Sequence, residues 1–152
     1  MSTVSIRRVS HSEILAAPNA QQLIDEYAAE CSIPDAKPQT QMYAAMEQSG
    51  ALVCFGAHVA NELVGFVSML IAVMPHHGKR VATLESLFVL SSHRDSGAGD
   101  ALLSAAEQYA DDAADSGCLA LLYTARVGSR LEKVLSRRAG CKASHTVFTR
   151  WL

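Results

Sequence analysis

Between Val81 and Thr124 the spacing of apolar residues changes twice, and that change restricts the fold more than anything else in the chain. VATLESLFVL (residues 81–90) reads as a strand, with Thr83, Glu85, Leu87 and Val89 on one face. From Ala98 to Ser116 the spacing is helical. Leu102, Leu103, Ala106, Tyr109, Ala110 and Ala113 fall on one side, and Asp100, Gln108, Asp111, Asp112 and Asp115 on the other. Gly117 ends that helix. CLALLYTA (residues 118–125) is then a continuous apolar strand, of the kind buried on both faces. A strand, a helix and a strand in this order form a crossover, so the two strands are expected to be parallel.

The surrounding chain supplies the rest of a sheet. VSIRRV (residues 4–9) alternates and reads as a first strand. SHSEILAAP offers Ser10 or Ser12 as a helix cap before Pro18 interrupts, and NAQQLIDEYAAECS resumes with Leu23, Ile24, Tyr27 and Ala28 at helical spacing. Pro34 and Pro38 bracket a loop, and TQMYAAMEQSG is a further short helix ending at Gly50. ALVCFGAHVA, ELVGFVSMLIAVM and VATLESLFVL make an antiparallel meander over residues 51–90, with turns near Asn61 and at PHHGKR. GSRLEKVLSRRAG reads as a last helix closed by Gly140, and KASHTVFTRWL as a final strand. The expected order is β-α-α-β-β-β-α-β-α-β.

A chain of 152 residues favours a single domain covering residues 1–152, large enough to hold a core without a metal or disulfide. The longest apolar run, Leu63 to Met74, is too short to span a bilayer. No apolar signal core follows the early arginines, so a cytoplasmic protein without membrane contact is expected. Cys31, Cys54, Cys118 and Cys141 are far apart and are expected to be buried free thiols; no ligand spacing points to a metal. The net charge of −2 is uneven. Beyond residue 125, seven Lys and Arg residues face only Glu132. That segment reads as a solvated basic helix or as an anion site, while the overall charge and few aromatic residues there speak against nucleic acid.

The turn HRDSGAGDALL (residues 93–103) joins the third meander strand to the long helix. A helix start carries free N–H groups and a positive dipole end, which suit phosphate oxygens, and glycines let a backbone approach them closely. The same letters also suit a plain capping turn. A P-loop is excluded because Gly99 is followed by Asp-Ala-Leu. The dinucleotide fingerprint is excluded because Leu102 stands at its third glycine. What remains is Arg-x-x-Gly-x-Gly.

With that turn, the chain resembles the GCN5-related N-acetyltransferase (GNAT) superfamily. The family's pyrophosphate loop follows Gln/Arg-x-x-Gly-x-Gly/Ala between its fourth strand and a long helix. Leu84-Glu85-Ser86-Leu87-Phe88-Val89 before the loop and Val64-Gly65-Phe66 in the preceding strand match as well. The resemblance covers residues 50 to 141; the first 50 match in element order. It implies an α/β (α+β) fold with a GNAT-like mixed central sheet. Within that sheet, an antiparallel N-terminal meander precedes parallel, splayed fourth and fifth strands with flanking helices.

The resemblance also implies acetyl-CoA as co-substrate. The backbone of Leu87, Phe88 and Val89 would hold the pantetheine arm, and amides of Arg94, Asp95, Ser96, Gly97, Ala98 and Gly99 the pyrophosphate. A Phe88 or Val89 N–H would face the acetyl carbonyl. Glu85 is the candidate base for a primary amine of a small molecule or peptide; binding a cationic acceptor and a structural ion pair are its alternative roles. The family often carries Asn-x-x-Ala-x-x-x-Tyr-x-x-x-Gly-Phe, and here Ser129 stands at the Asn and Ser136 at the Tyr that protonates the leaving thiolate. Ser136 relaying through water, direct protonation by solvent and substitution by another group all stay open. Tyr123 is read as core or acceptor wall. His76 and His77 are placed on a turn bordering the acceptor, His93 beside the phosphates, and His58 and His145 as structural groups. The departures leave a catalytically weak or inactive acyl-CoA-binding module as the alternative function. TVFTRWL is a candidate for pairing in a homodimer.

Overall fold

A computed structural model describes residues 3–31 and 37–152. Five strands form one sheet in the order β1-β2-β3-β4-β5. They are β1 (Val4–Val9), β2 (Leu52–Val59), β3 (Glu62–Met74), β4 (Lys79–Val89) and β5 (Cys118–Leu122). The first four pair antiparallel, and β4 pairs parallel with β5, as the crossover requires. Among the described residues five α-helices flank the sheet: α1 (His11–Ala16), α2 (Ala20–Cys31), α3 (Thr40–Gln48), α4 (Ala98–Asp112) and α5 (Arg130–Leu135).

Local chemistry sets the boundaries. Ser10 opens α1 with a capping box, its hydroxyl accepting from the Glu13 N–H while the Glu13 carboxylate accepts from the Ser10 N–H. Pro18 then separates α1 from α2, so three short helices stand where two were expected. The loop bracket at Pro34 lies outside the described residues. α4 crosses one face of the sheet, with Ala98, Leu102 and Ala106 against Val53, Ala57, Val64, Val67 and Met69. On the other face Ile14 and Leu23 pack on Val9, Leu52, Cys54, Leu63 and Phe88, with Tyr27, Tyr43 and Met46 at the margin.

Five expectations are corrected. The apolar strand after α4 is five residues long and lies at the sheet edge, so Leu119 and Leu122 are exposed rather than buried on both faces. α4 stops at Asp112, and residues 113–117 tighten into turns that end at Gly117 with φ +94°. The last helix spans only Arg130–Leu135. KASHTVFTRWL forms no strand: Val147, Phe148 and Trp151 face solvent. Alternation makes a segment fit for a sheet, but a ladder needs a partner edge, and this segment has none among the described residues. Of the four free cysteines only Cys54 is buried, and burial pushes its thiol up to about 12; the other three are half-buried.

Candidate active site

The site begins where β4 leaves β5. Their ladder runs from Arg80↔Cys118 to Thr83↔Leu122 and goes no further, while β4 continues to Val89. One edge of residues 84–89 therefore opens into a cleft. Which groups face that cleft follows from two hydrogen bonds. The Arg80 N–H donates to the Gly117 carbonyl on the β5 side, and the Leu90 N–H to Val64 on the β3 side. Strict alternation would send both even-numbered residues to the same edge. The register supplies the missing step: Ser86 lies opposite Ser68 and Leu84 opposite Met69, so Glu85 is the extra residue of a β-bulge. Beyond it, Leu87 and Val89 turn their N–H and C=O groups to the cleft, and Phe88 turns its own to β3. Of the two N–H groups expected at the acetyl carbonyl, only Val89 has the right direction.

The cleft encloses about 630 Å³ between β4, the 94–99 turn, the start of α4 and α5, a volume ordinary for a small-molecule site. Leu87, Phe88, Val89, Arg94, Asp95, Gly97, Gly99 and Ser129 all line it. Glu30, Leu103, Leu131 and Val134 line it too; no motif points to them, because their role comes from packing across the gap. Ser96 and Ala98 do not line it. The Ser96 hydroxyl donates to the His93 carbonyl and accepts from the Ala98 N–H, and Ala98 is fully buried against the core. Gly97 caps α4 at φ +86°, a conformation that strains any side-chain-bearing residue. Among the described residues nothing accepts from the N–H groups of Gly97, Gly99 and Asp100, which leaves a helix start ready for anionic oxygens.

The Arg94 side chain does something other than wait for phosphate. Its guanidinium pairs with Glu30 from α2, donates to the Val89 carbonyl at 3.2 Å, and lies over the Phe88 ring. Ser129 caps α5 by accepting from the Glu132 N–H. Ser136 sits at the other end of α5, exposed, with its hydroxyl donating to the Glu132 carbonyl at 2.8 Å. The fold does not bring it to the cleft. Tyr123 donates to Glu107, and burial together with that carboxylate raises its phenol well above the usual value.

Glu85 projects beside the cleft, under α2 and α3. Its Oε2 accepts from Ser68 and, at 2.9 Å, from Ser86, and its Oε1 accepts from Tyr43 at 3.3 Å. Burial first, and Glu85 second, push the Tyr43 phenol up to about 12, so it stays a donor at neutral pH. His11 stacks on Tyr43 with centroids 3.9 Å apart, and burial lowers its imidazole, keeping it neutral there. Tyr27 meets Phe66 and Phe88 edge-on. Ser68 was findable: it is the only hydroxyl in the apolar run Leu63–Met74. Tyr27, Tyr43 and His11 carried no comparable signal.

The other histidines stand apart. His76 and His77 form an exposed pair on the β3–β4 turn, His93 contacts Ser92, and His145 contacts Ser144. His58 is buried with Nε2 accepting from Arg7, while its Nδ1 has no partner among the described residues, so it is only half satisfied. Among the described residues no group of His, Cys, Asp and Glu is placed to hold a metal, and no helix is long and apolar enough to cross a membrane.

Comparison with known proteins agrees with the fold. The acetyltransferase (GNAT) family model matches residues 20–133. An aminoglycoside acetyltransferase from an uncultured soil metagenomic sample, solved with sisomicin, is 18% identical with a TM-score of 0.73, covering 98% of this chain and 95% of that one. Ribosomal-protein-alanine N-acetyltransferase from Brucella melitensis biovar Abortus 2308 is 22% identical with a TM-score of 0.71, covering 98% and 99%. AAC(6')-Iy in complex with the bisubstrate analog CoA-S-monomethyl-acetylneamine is 19% identical with a TM-score of 0.69, covering 99% of each chain. At these identities the likeness is one of fold. No curated protein sequence matches.

Proposed function

The chain belongs to the acetyltransferase (GNAT) family, and from that premise we propose that it moves an acetyl group from acetyl-CoA to a primary amine by direct attack in a ternary complex. The observation that carries this reading is the open edge of β4: the Leu87 backbone groups and the Val89 N–H, which no strand pairs, face a cleft that runs to the bare N–H groups of α4. A pantetheine arm satisfies the first set as an added strand would, and a pyrophosphate the second. A structural relative that takes a CoA bisubstrate analog supports the same donor.

In the reaction, Glu85 takes a proton from the acceptor ammonium. The freed amine nitrogen bonds to the thioester carbon. The Val89 N–H donates to the carbonyl oxygen as it becomes an oxyanion. Collapse breaks the C–S bond, the amide nitrogen releases its second proton to water, and the CoA thiolate takes one back from water, since Ser136 is turned away and Tyr123 is committed to Glu107. The acceptor is an amine of a small molecule or peptide whose cation is met by Glu85 among the Tyr27 and Tyr43 rings.

Titration calorimetry with acetyl-CoA tests the donor half, and heat of binding only above millimolar concentrations would remove it. Glu85→Gln tests the base. Thiol release over a panel of amines is expected to fall by about 10²–10⁴-fold while acetyl-CoA affinity is kept. The orientation of Ser136 favours a second reading, a binding module for acyl-CoA with little turnover. Wild-type protein that binds acetyl-CoA and releases no thiol with any amine would select that reading.

A further inference from the structure

The geometry points to Ser68 and Ser86 as positioning residues that bind the Oε2 atom of Glu85 and thereby make Oε1 the atom that takes the acceptor's proton. This rests on the reading of Glu85 as the base.

Glu85 is an exposed side chain at a bulge, and an exposed glutamate has many rotamers to choose from. What restrains it lies beneath. Ser68 on β3 and Ser86 on β4 face each other across the ladder, 4% and 9% exposed. They stand in a region otherwise filled by Cys54, Phe66, Phe88 and Leu70. Their hydroxyl oxygens are 2.6 Å apart, and both reach Glu85 Oε2. The three oxygens form a triangle with two hydroxyl protons to share. Buried hydroxyls in apolar surroundings need partners, and here the partner is one oxygen of one carboxylate.

Oε2 is thus held inward. Oε1 is left outward, with the Tyr43 hydroxyl at 3.3 Å as its one protein donor among the described residues. A long bond from a phenol that itself stays protonated orients Oε1 and leaves its other lone pair to an incoming ammonium. The bulge explains why both serines can serve one carboxylate. It places Glu85 and Ser86 together opposite Ser68, so neighbouring side chains that would alternate across a regular strand converge. Ser86 and Ser68 touch neither donor nor acceptor in this arrangement; they act through Glu85.

The test uses the whole chain, with Ser68→Ala/Ser86→Ala beside Ser68→Thr/Ser86→Thr and Glu85→Gln. Spermidine, neamine and an alanine-terminated peptide serve as probe amines. The alanine pair is expected to lower kcat by about tenfold, with the KM for acetyl-CoA unchanged, and the threonine pair to restore it. Added to Glu85→Gln, the alanine pair should cost nothing further. A crystal structure of the alanine pair reads the geometry without turnover. Glu85 should leave Tyr43 and occupy several solvent-facing conformers, whereas a carboxylate still bound through Oε1 to Tyr43 overturns the proposal. An undiminished kcat, or an equal loss in the Glu85→Gln background, overturns it as well. Wild-type turnover by Glu85→Gln alone is a separate result, which removes the base and leaves the crystallographic outcome to judge the anchoring.

Discussion

Gly65 shows how closely single atoms are drawn at this site. A Cβ built there would stand 2.6 Å from the Phe88 carbonyl oxygen and 3.0 Å from a Val89 methyl. The obstacle is the backbone of the strand that edges the cleft, so it cannot swing aside as a side-chain tip would. Gly65→Ala must push β4 away from β3. The expected result is a loss of about 1–3 kcal/mol in urea unfolding, together with weaker acetyl-CoA binding by calorimetry, because Val89 moves with the strand. Binding retained at full strength would show that β4 shifts without disturbing its cleft edge. At this scale the sequence was partly legible. Val64-Gly65-Phe66 and Leu84 to Val89 stood out as letters, and Glu85 was identified as a carboxylate beside the splay. The joint anchoring role of Ser68 and Ser86 was not, because it depends on a bulge, and a one-residue change in ladder register leaves no mark in a pattern of apolar and polar residues.

At the scale of elements, α2 joins the two halves of the site. Its Glu26 accepts from the Ser91 N–H, and its Glu30 pairs with Arg94, so two carboxylates one turn apart grip the loop after β4. Tyr27, between them in sequence, turns toward Phe66 and Phe88. The backbone bond lowers the Glu26 carboxyl below its usual range, which keeps this grip ionised at neutral pH. The Glu30–Arg94 pair is partly exposed, and such pairs contribute about 0.2–1 kcal/mol. It also occupies the guanidinium that would otherwise meet a phosphate. Glu30→Gln should therefore tighten acetyl-CoA by about two- to fivefold, read by calorimetry at low salt. Weakened binding would instead mean that Glu30 holds Arg94 in its working position. The helix itself was legible from Leu23, Ile24, Tyr27 and Ala28. Its hold on a loop more than sixty residues away was not, since an acidic residue on a helix face looks the same whether it meets water or an arginine.

Across the whole molecule, one arginine ties the C-terminal segment to the sheet's cover helix. Arg138 follows α5, and its guanidinium reaches Asp100, Ser104 and Glu107, all on α4. Its side chain is 14% exposed, and Glu107 also accepts from Tyr123 beyond β5. Helix, edge strand and α5 thus meet on a single carboxylate, and α5 forms the far wall of the cleft. The basic segment after residue 125, expected to be either a solvated helix or an anion site, spends Arg138 on this internal tie while Arg130, Lys133 and Arg137 border a surface hollow with Asp100. Hydrogen bonds from Arg138 hold the Glu107 carboxyl below its ordinary value of 4.5, burial opposing them. A carboxyl depressed in the folded state stabilises the fold fully above its unfolded value and loses that contribution as pH falls through its folded one. Unfolding free energy should therefore decline from about pH 5 downward. Arg138→Leu should remove about 1–2 kcal/mol at pH 7 and flatten the acid part of the profile, because the tie is already gone. Acetyl-CoA affinity should fall in the same variant as α5 loosens from α4. An Arg138→Leu variant with the wild-type acid slope would assign that slope to other carboxylates, such as Glu13 in its capping box, and would leave α5 held by its apolar contacts.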